Sequence, residues 1–237
     1  MAVPVVHDGP DELVVVKPAG LPCELPRDPA ADSLLARLAA GGHTGLRLVH
    51  RLDTPACGLV LVARSRESAA RHAADIAARR WRKWYVARVA APLDEVQRLL
   101  GRHRAYLKVD GRQARVVRAG GKPSSLDLVR AAGVPGADAL TDVLVALHTG
   151  RYHQIRVMLA HLGAPLAGDA RYGGPSAPWL YLEHVVLATP TESPESWRVW
   201  EAPAHRDRPA WDAAMADAVT TVAATARTAP PPPAPDR

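Results

Sequence analysis

The sequence has no phenylalanine, three methionines and two cysteines, Cys23 and Cys57, among 237 residues. Two cysteines cannot build a disulfide framework, so both are expected as free thiols in a reducing cytoplasm. No run of about 18 apolar residues occurs, which excludes a membrane-spanning helix. The first residues, Met1 to Asp8, lack the basic-then-apolar layout of a secretory signal. Also missing are a Gly-rich phosphate loop, a βαβ alternation and an internal repeat. Their absence argues against dinucleotide-binding and solenoid classes, and no cofactor is expected.

What is present is positive charge. Thirty Lys and Arg face 24 Asp and Glu, giving a net charge of +6 and a sequence pI near 9.7. Such a balance suits a partner rich in phosphate, because neutralising phosphates releases condensed counterions. An arginine- and alanine-rich composition without phenylalanine is equally what a coding bias would leave. Charge alone therefore decides nothing.

The apolar pattern places strands at Glu12 to Val16, Gly58 to Ala63, Trp84 to Val89, Arg115 to Arg118, Leu140 to Leu147 and Leu180 to Leu187. Helices are expected from Asp32 to Ala40, capped by Asp32 or Ser33, from Arg66 to about Arg80 behind Ser65, and from His153 to Leu162. Strands dominate, with helices between them. This order predicts an α+β domain on a mixed, mainly antiparallel sheet with flanking helices, over residues 1–212. Trp211 to Arg227 suits an alanine-rich helix. Residues 213–237, with Pro230 to Pro233, are expected to form an Ala/Pro-rich tail that is partly disordered. No extended apolar helix demands a partner, and a monomer is expected.

Two stretches concentrate chemistry. His50-Arg51-Leu52-Asp53 runs into the loop Thr54-Pro55-Ala56-Cys57-Gly58 at the edge of an apolar strand. An aspartate before a turn is most often only a turn former. Here, however, it sits beside a histidine and an arginine at a strand edge, where sites tend to form. The second stretch, Gly150-Arg151-Tyr152-His153-Gln154-Ile155-Arg156, packs two arginines, a histidine and a glutamine into a strand-to-helix junction. Arginines in a first helical turn oppose the helix dipole, so they point to an anion such as a carboxylate or a phosphate. His148, His153 and His161 lack the spacing of metal ligands, and no metal is expected.

Taken in order, these stretches resemble the RluA family of pseudouridine synthases over nearly the whole domain. The similar segments are Asp11 to Gly20, with its Lys-Pro-Ala-Gly turn, and His50 to Asp53 followed by Gly58-Leu59. Lys83-Trp84-Tyr85-Val86-Ala87 follows, then Thr149 to Val157 with Leu159 to Gly163 and Gly168-Asp169. Any one of them is modest evidence; four in the same order are strong. The chain begins directly at the first catalytic strand, so the form without an S4-type RNA-binding domain is expected. It departs from the family at Ala56-Cys57, where Thr-Ser is usual, at Met158 for His, and at Leu182-Glu183-His184 for Leu-His-Ala. These departures bear on substrate fit and on hydrogen bonding in the loop.

The resemblance implies a cleft across the sheet in which uridine of ribosomal or transfer RNA becomes pseudouridine. Asp53 would act as nucleophile at the anomeric carbon or as base at the neighbouring ribose carbon. Arg156 would be its salt-bridge partner. Tyr85 would lie near the uracil, where a phenol of pKa near ~10 needs help to accept a proton at neutral pH. The target must be flipped out of its stack at a cost of a few kcal/mol. Arg51, His50, Arg151, His153, Gln154 and Lys17 are the expected RNA contacts, and the arginines of 66–82 with His103-Arg104 would follow the backbone. Two rivals stand beside this reading. One is a catalytically inactive RNA-binding protein of the same fold. The other is a glycosidase, which normally needs two acids, and the second acid available is Asp169, in a Gly-rich turn.

Overall fold

A computed structural model describes residues 2–24, 31–191 and 196–228. In chain order the strands are β1 (Val5–Asp8), β2 (Glu12–Lys17), β3 (Arg47–Leu48), β4 (Cys57–Ala63), β5 (Arg82–Val89) and β6 (Gly101–Asp110). They continue with β7 (Gln113–Val117), β8 (Lys122–Val134), β9 (Ala137–Leu147), β10 (Leu182–Pro190) and β11 (Trp197–Glu201). The helices are α1 (Leu34–Ala40), α2 (Arg66–Ala77), α3 (Leu93–Arg98), α4 (Gln154–His161) and α5 (Ala213–Thr228). The class is the expected α+β, with mainly antiparallel strands. The chain divides into two compact units, one drawn from Met1–Trp81, Glu183–Arg208 and Thr225–Arg237, the other from Arg82–Leu182 and Pro209–Ala224.

In the first unit β4 is central. Every residue of β2 and β4 is buried, which is why both read as short, unbroken apolar runs rather than as alternating patterns. β2 lies antiparallel along β4 from Glu12–Ala63 to Lys17–Gly58. β3 pairs with β4 at Ala63 and Val62, and β10 runs parallel to it at Cys57 and Gly58. Between those two short pairings, side chains replace a strand. His50 Nε2 accepts from Leu61 N at 3.0 Å, and His184 Nδ1 donates to Leu59 O at 2.7 Å. The two rings meet edge to face, 5.9 Å between centroids. Leu59, Leu61, Val14, Val16, Leu187, Trp81 and Trp200 form the core beneath.

Gly58 is required at this crossing. Its φ is +104°, and a Cβ there would stand 2.4 Å from the carbonyl oxygen of His184. Gly58→Ala is therefore expected to destabilise the protein by about 3 kcal/mol or more, from backbone strain plus the forced separation of β4 and β10. Urea titration of the purified variant checks this. A midpoint equal to that of the wild type would mean that the strands part without cost.

The second unit carries an antiparallel sheet in the order β5-β9-β8-β6-β7. Half-buried Arg88 and buried Asp142 are register partners on β5 and β9 and form a two-pronged ion pair at 2.8 Å. α4 starts at His153, whose φ of 54° places it in the left-handed region. The predicted helices occur as α1, capped by the Ser33 side chain, α2, capped by Ser65 with Ser68 in a reciprocal pair, and α4. α2 ends at Ala77, three residues before the expected Arg80. Residues 213–228 form α5, with Met215, Val219, Ala223 and Ala226 buried. Pro230 to Pro233 lie outside the described residues.

Candidate active site

Asp53 sits half-buried in the loop between β3 and β4, and that loop is held on both sides of it. Leu52 N donates to Cys23 Sγ at 3.4 Å, and the thiol hydrogen turns to Leu52 O at 3.5 Å. Burial pushes the Cys23 thiol pKa up, so this partner stays neutral. On the other side Thr54 O accepts from Gly20 N at 2.8 Å and from Lys17 Nζ at 3.2 Å. Lys17 is fully buried and also donates to Pro18 O and Leu21 O, at 2.9 and 2.7 Å. Its three N–H groups thus end on backbone carbonyls of two loops. Burial pulls its pKa down to about 8, against the pull of the Cys23, Cys57, Asp53 and Asp207 side chains. Expected as an RNA contact, Lys17 instead occupies the position of a clamp on the Asp53 loop.

The other expected contacts of this unit divide. Arg51 is 68% exposed, with Glu24 3.6 Å away, and its guanidinium is accessible to a polyanion. His50 spends Nε2 on the β4 edge and packs edge to face on Trp81 at 5.2 Å. It fixes the start of the loop.

The departures at Cys57 and Glu183 belong together, since the two are register partners on β4 and β10. Glu183 is fully buried and accepts from His205 Nε2 at 2.9 Å and from Arg208 Nε at 3.0 Å. Asp207, between them, accepts from Ala19 N at 3.1 Å. Segment 205–208 is thereby tied to β10 and to the Lys-Pro-Ala-Gly turn, and through Gly20 to Thr54. Sequence reading missed this latch, because its members are remote in the chain. Ligand atoms of Cys57, Glu183 and His205 lie within 4.8 Å of one another, the one such group among the described residues. The Glu183 charge is already met by Arg208, and burial raises the Cys57 thiol pKa. A dication there would face a guanidinium and a thiol that resists ionising, so the set fits an ion-pair latch better than a metal.

In the second unit the Gly150–Arg156 junction is ordered by Gln154. Its Oε1 accepts from Arg151 N at 3.0 Å and Thr149 Oγ1 at 2.8 Å, while Nε2 donates to Ser125 O at 3.0 Å. Gln154 is buried and braces the loop that leads into α4 rather than presenting its amide to RNA. Arg151 Nε donates to Pro123 O at 3.3 Å. The His153 ring stacks on exposed Tyr152 at 3.8 Å, and its Nδ1 meets the Tyr172 hydroxyl at 2.8 Å. Arg156, 5% exposed, donates from Nε and one terminal nitrogen to both oxygens of Asp169 at 2.7 and 2.8 Å. Its guanidinium also lies 5.2 Å from the centre of the Tyr172 ring. Asp169 is thus one carboxylate that answers the first-turn arginine. Tyr85, 5% exposed, is on β5 opposite Val145 of β9.

A family model described as RNA pseudouridylate synthase matches residues 11–161, from the start of β2 through the end of α4. The chain belongs to this family. An "Uncharacterized RNA pseudouridine synthase" of Chloroflexus aurantiacus is 36% identical over 172 residues, 66% of this chain and 50% of the relative. Ribosomal large subunit pseudouridine synthase D of Pseudomonas aeruginosa is 33% identical over 178 residues, 72% of this chain and 53% of the relative. The chain spans about half the length of these curated relatives. Human RNA pseudouridylate synthase domain containing 1 superposes with a TM-score of 0.70 at 22% identity, covering 97% of this chain and 96% of that one. That likeness is one of fold. Within the family the Asp53 loop, Tyr85 and Arg156 all fall inside the matched span.

Proposed function

We propose that this pseudouridine synthase family member isomerises uridine in RNA to pseudouridine, with Asp53 as its catalytic carboxylate. The observation that carries the reading is the clamped loop. Cys23 on one side, and Lys17 with Gly20 on the other, fix the backbone next to Asp53. A carboxylate that attacks or deprotonates a ribose must be held to a fraction of an ångström, and a loop held on both sides meets that demand. Tyr85 takes the place beside the uracil and Arg156 serves as the cation of the site, as the family resemblance implies. Arg51 and Arg151 contact phosphate. Ribosomal RNA is the favoured target, supported by the name of the Pseudomonas relative, a ribosomal large subunit pseudouridine synthase, with transfer RNA as the alternative. The reaction is taken to occur in the cytoplasm, within a catalytic region of residues 1–212.

The test is direct. RNA from cells lacking the protein is incubated with it, treated with carbodiimide under conditions that leave adducts on pseudouridine, and mapped by reverse-transcription stops. New stops at defined uridines are expected. No stop on any cellular RNA would remove the enzymatic reading and leave that of an inactive RNA-binding protein.

A further inference from the structure

Lys17 is fully buried and Lys83 half-buried, and the two are used differently. Lys17 gives its hydrogens to three backbone carbonyls. Lys83, on β5, gives its hydrogens to no acceptor among the described residues. The side chain is half-buried, and that partial desolvation lowers its pKa to about 8. Lys83 precedes Tyr85 by two residues, so both side chains leave the same face of the strand. Its Nζ rests beside the bare Cα of Gly150, where an added Cβ would come within 3.3 Å of it. Gly150 opens the junction that carries Arg151, His153 and Arg156. A half-buried ammonium with no acceptor beside it is poorly compensated for the water it has lost, and a solubility role does not account for one placed here.

We propose that Lys83 donates to an anionic oxygen of the target nucleotide, the RNA supplying the counter-charge that the protein withholds. The proposal rests on the reading that the chain converts uridine. The oxygen belongs to the uracil or to the adjoining phosphate, and the face shared with Tyr85 favours the uracil. When the bond between ribose C1′ and uracil N1 breaks, its electron pair leaves with the base and spreads onto the carbonyl oxygens. Lys83 would hold that charge while the base turns. The bond from C1′ to C5 then forms, C5 loses its proton, and N1 takes one up from water. Lys83 keeps its own proton throughout.

Lys83→Met removes the charge and keeps the length of the side chain. Activity is measured on the transcript that carbodiimide mapping identifies, alongside binding of the same RNA and thermal unfolding. Removal of this half-buried ammonium is expected to leave Tm unchanged within about 2 °C while activity falls. If the oxygen is on the uracil, kcat drops about 100-fold with KM unchanged. If it is on the phosphate, Kd and KM rise about tenfold and the salt dependence of binding falls by about one ion. Either pattern, with part of the loss restored in Lys83→Arg, supports the proposal. Unchanged kcat, KM and Kd beside an active wild type would overturn it alone. So would a lowered Tm with activity lost only in proportion to unfolded protein. An inactive wild type would instead defeat the functional reading itself, and this inference with it.

Discussion

Asp53→Asn is expected to lower pseudouridine formation by at least about 10⁴-fold, or about 5.5 kcal/mol of transition-state stabilisation. The substitution keeps the shape of the side chain and removes its negative charge. An amide neither attacks an anomeric carbon nor accepts a proton from a ribose, so both candidate roles of Asp53 fail together. The fold should persist, because backbone atoms on both sides of Asp53 also hold the loop. Leu52 N and O meet Cys23, Thr54 O meets Lys17 and Gly20, and Ala56 N closes a turn on the Asp53 carbonyl at 3.1 Å. RNA affinity should also stay within about twofold, since phosphate contacts dominate it. Circular dichroism, filter binding and stop mapping on the same preparation separate these effects. An Asp53→Asn variant that still converts uridine would take the carboxylate out of the chemistry.

Asp169→Asn is expected to have the largest effect on stability, a loss of about 3–5 kcal/mol. Arg156 and Asp169 are 5% and 2% exposed and joined by two hydrogen bonds. Loss of the carboxylate leaves a buried guanidinium short of its counter-charge. It sits in the first turn of α4, where the helix dipole already disfavours a cation. A domain with a typical total stability of about 5–15 kcal/mol would be brought close to its unfolding threshold at 37 °C. Denaturant titration measures the loss directly. A change under about 1 kcal/mol would mean that another anion already neutralises Arg156. The same geometry bears on the glycosidase reading. Asp169 is committed to an arginine and nearly sealed from solvent, which does not suit a second catalytic acid.

Much of this was legible in the residues, and what was not has a physical reason. β2 and β4 could be read because both faces are buried, which leaves continuous apolar runs. α1 and α2 could be read because Ser33 and Ser65 cap them. β6, with the sequence Gly-Arg-His-Arg-Ala-Tyr-Leu-Lys-Val-Asp, could not. Most of its side chains face solvent, so it carries no apolar rhythm and is held by backbone pairing with β7 and β8. Motifs single out Asp53, Tyr85 and Arg156 as candidates, but they say nothing of what positions Asp53. Cys23 and Leu52 are 29 residues apart and Lys17 and Thr54 are 37 apart, and each link is a side chain meeting a backbone atom. Such closures leave no periodic trace. For the same reason Lys17 and Gln154 read as RNA contacts, although the structure gives their polar atoms to the backbone. The pairing of Cys57 with Glu183 shows the converse. Two departures from the family pattern, read in the sequence as bearing on substrate fit and loop hydrogen bonding, are neighbours across two strands and part of one buried latch.

The central claim concerns a bond exchange at one carbon of uracil, and that carbon reports on it. RNA made with uridine carrying tritium at C5 must release the label to water each time the base is rejoined to the ribose through C5. Incubated with the wild-type protein, the RNA that gives carbodiimide stops should release one tritium for each pseudouridine formed, and Asp53→Asn should release none above background. No release by the wild type on any RNA tested, or equal release by wild type and Asp53→Asn, would contradict the account.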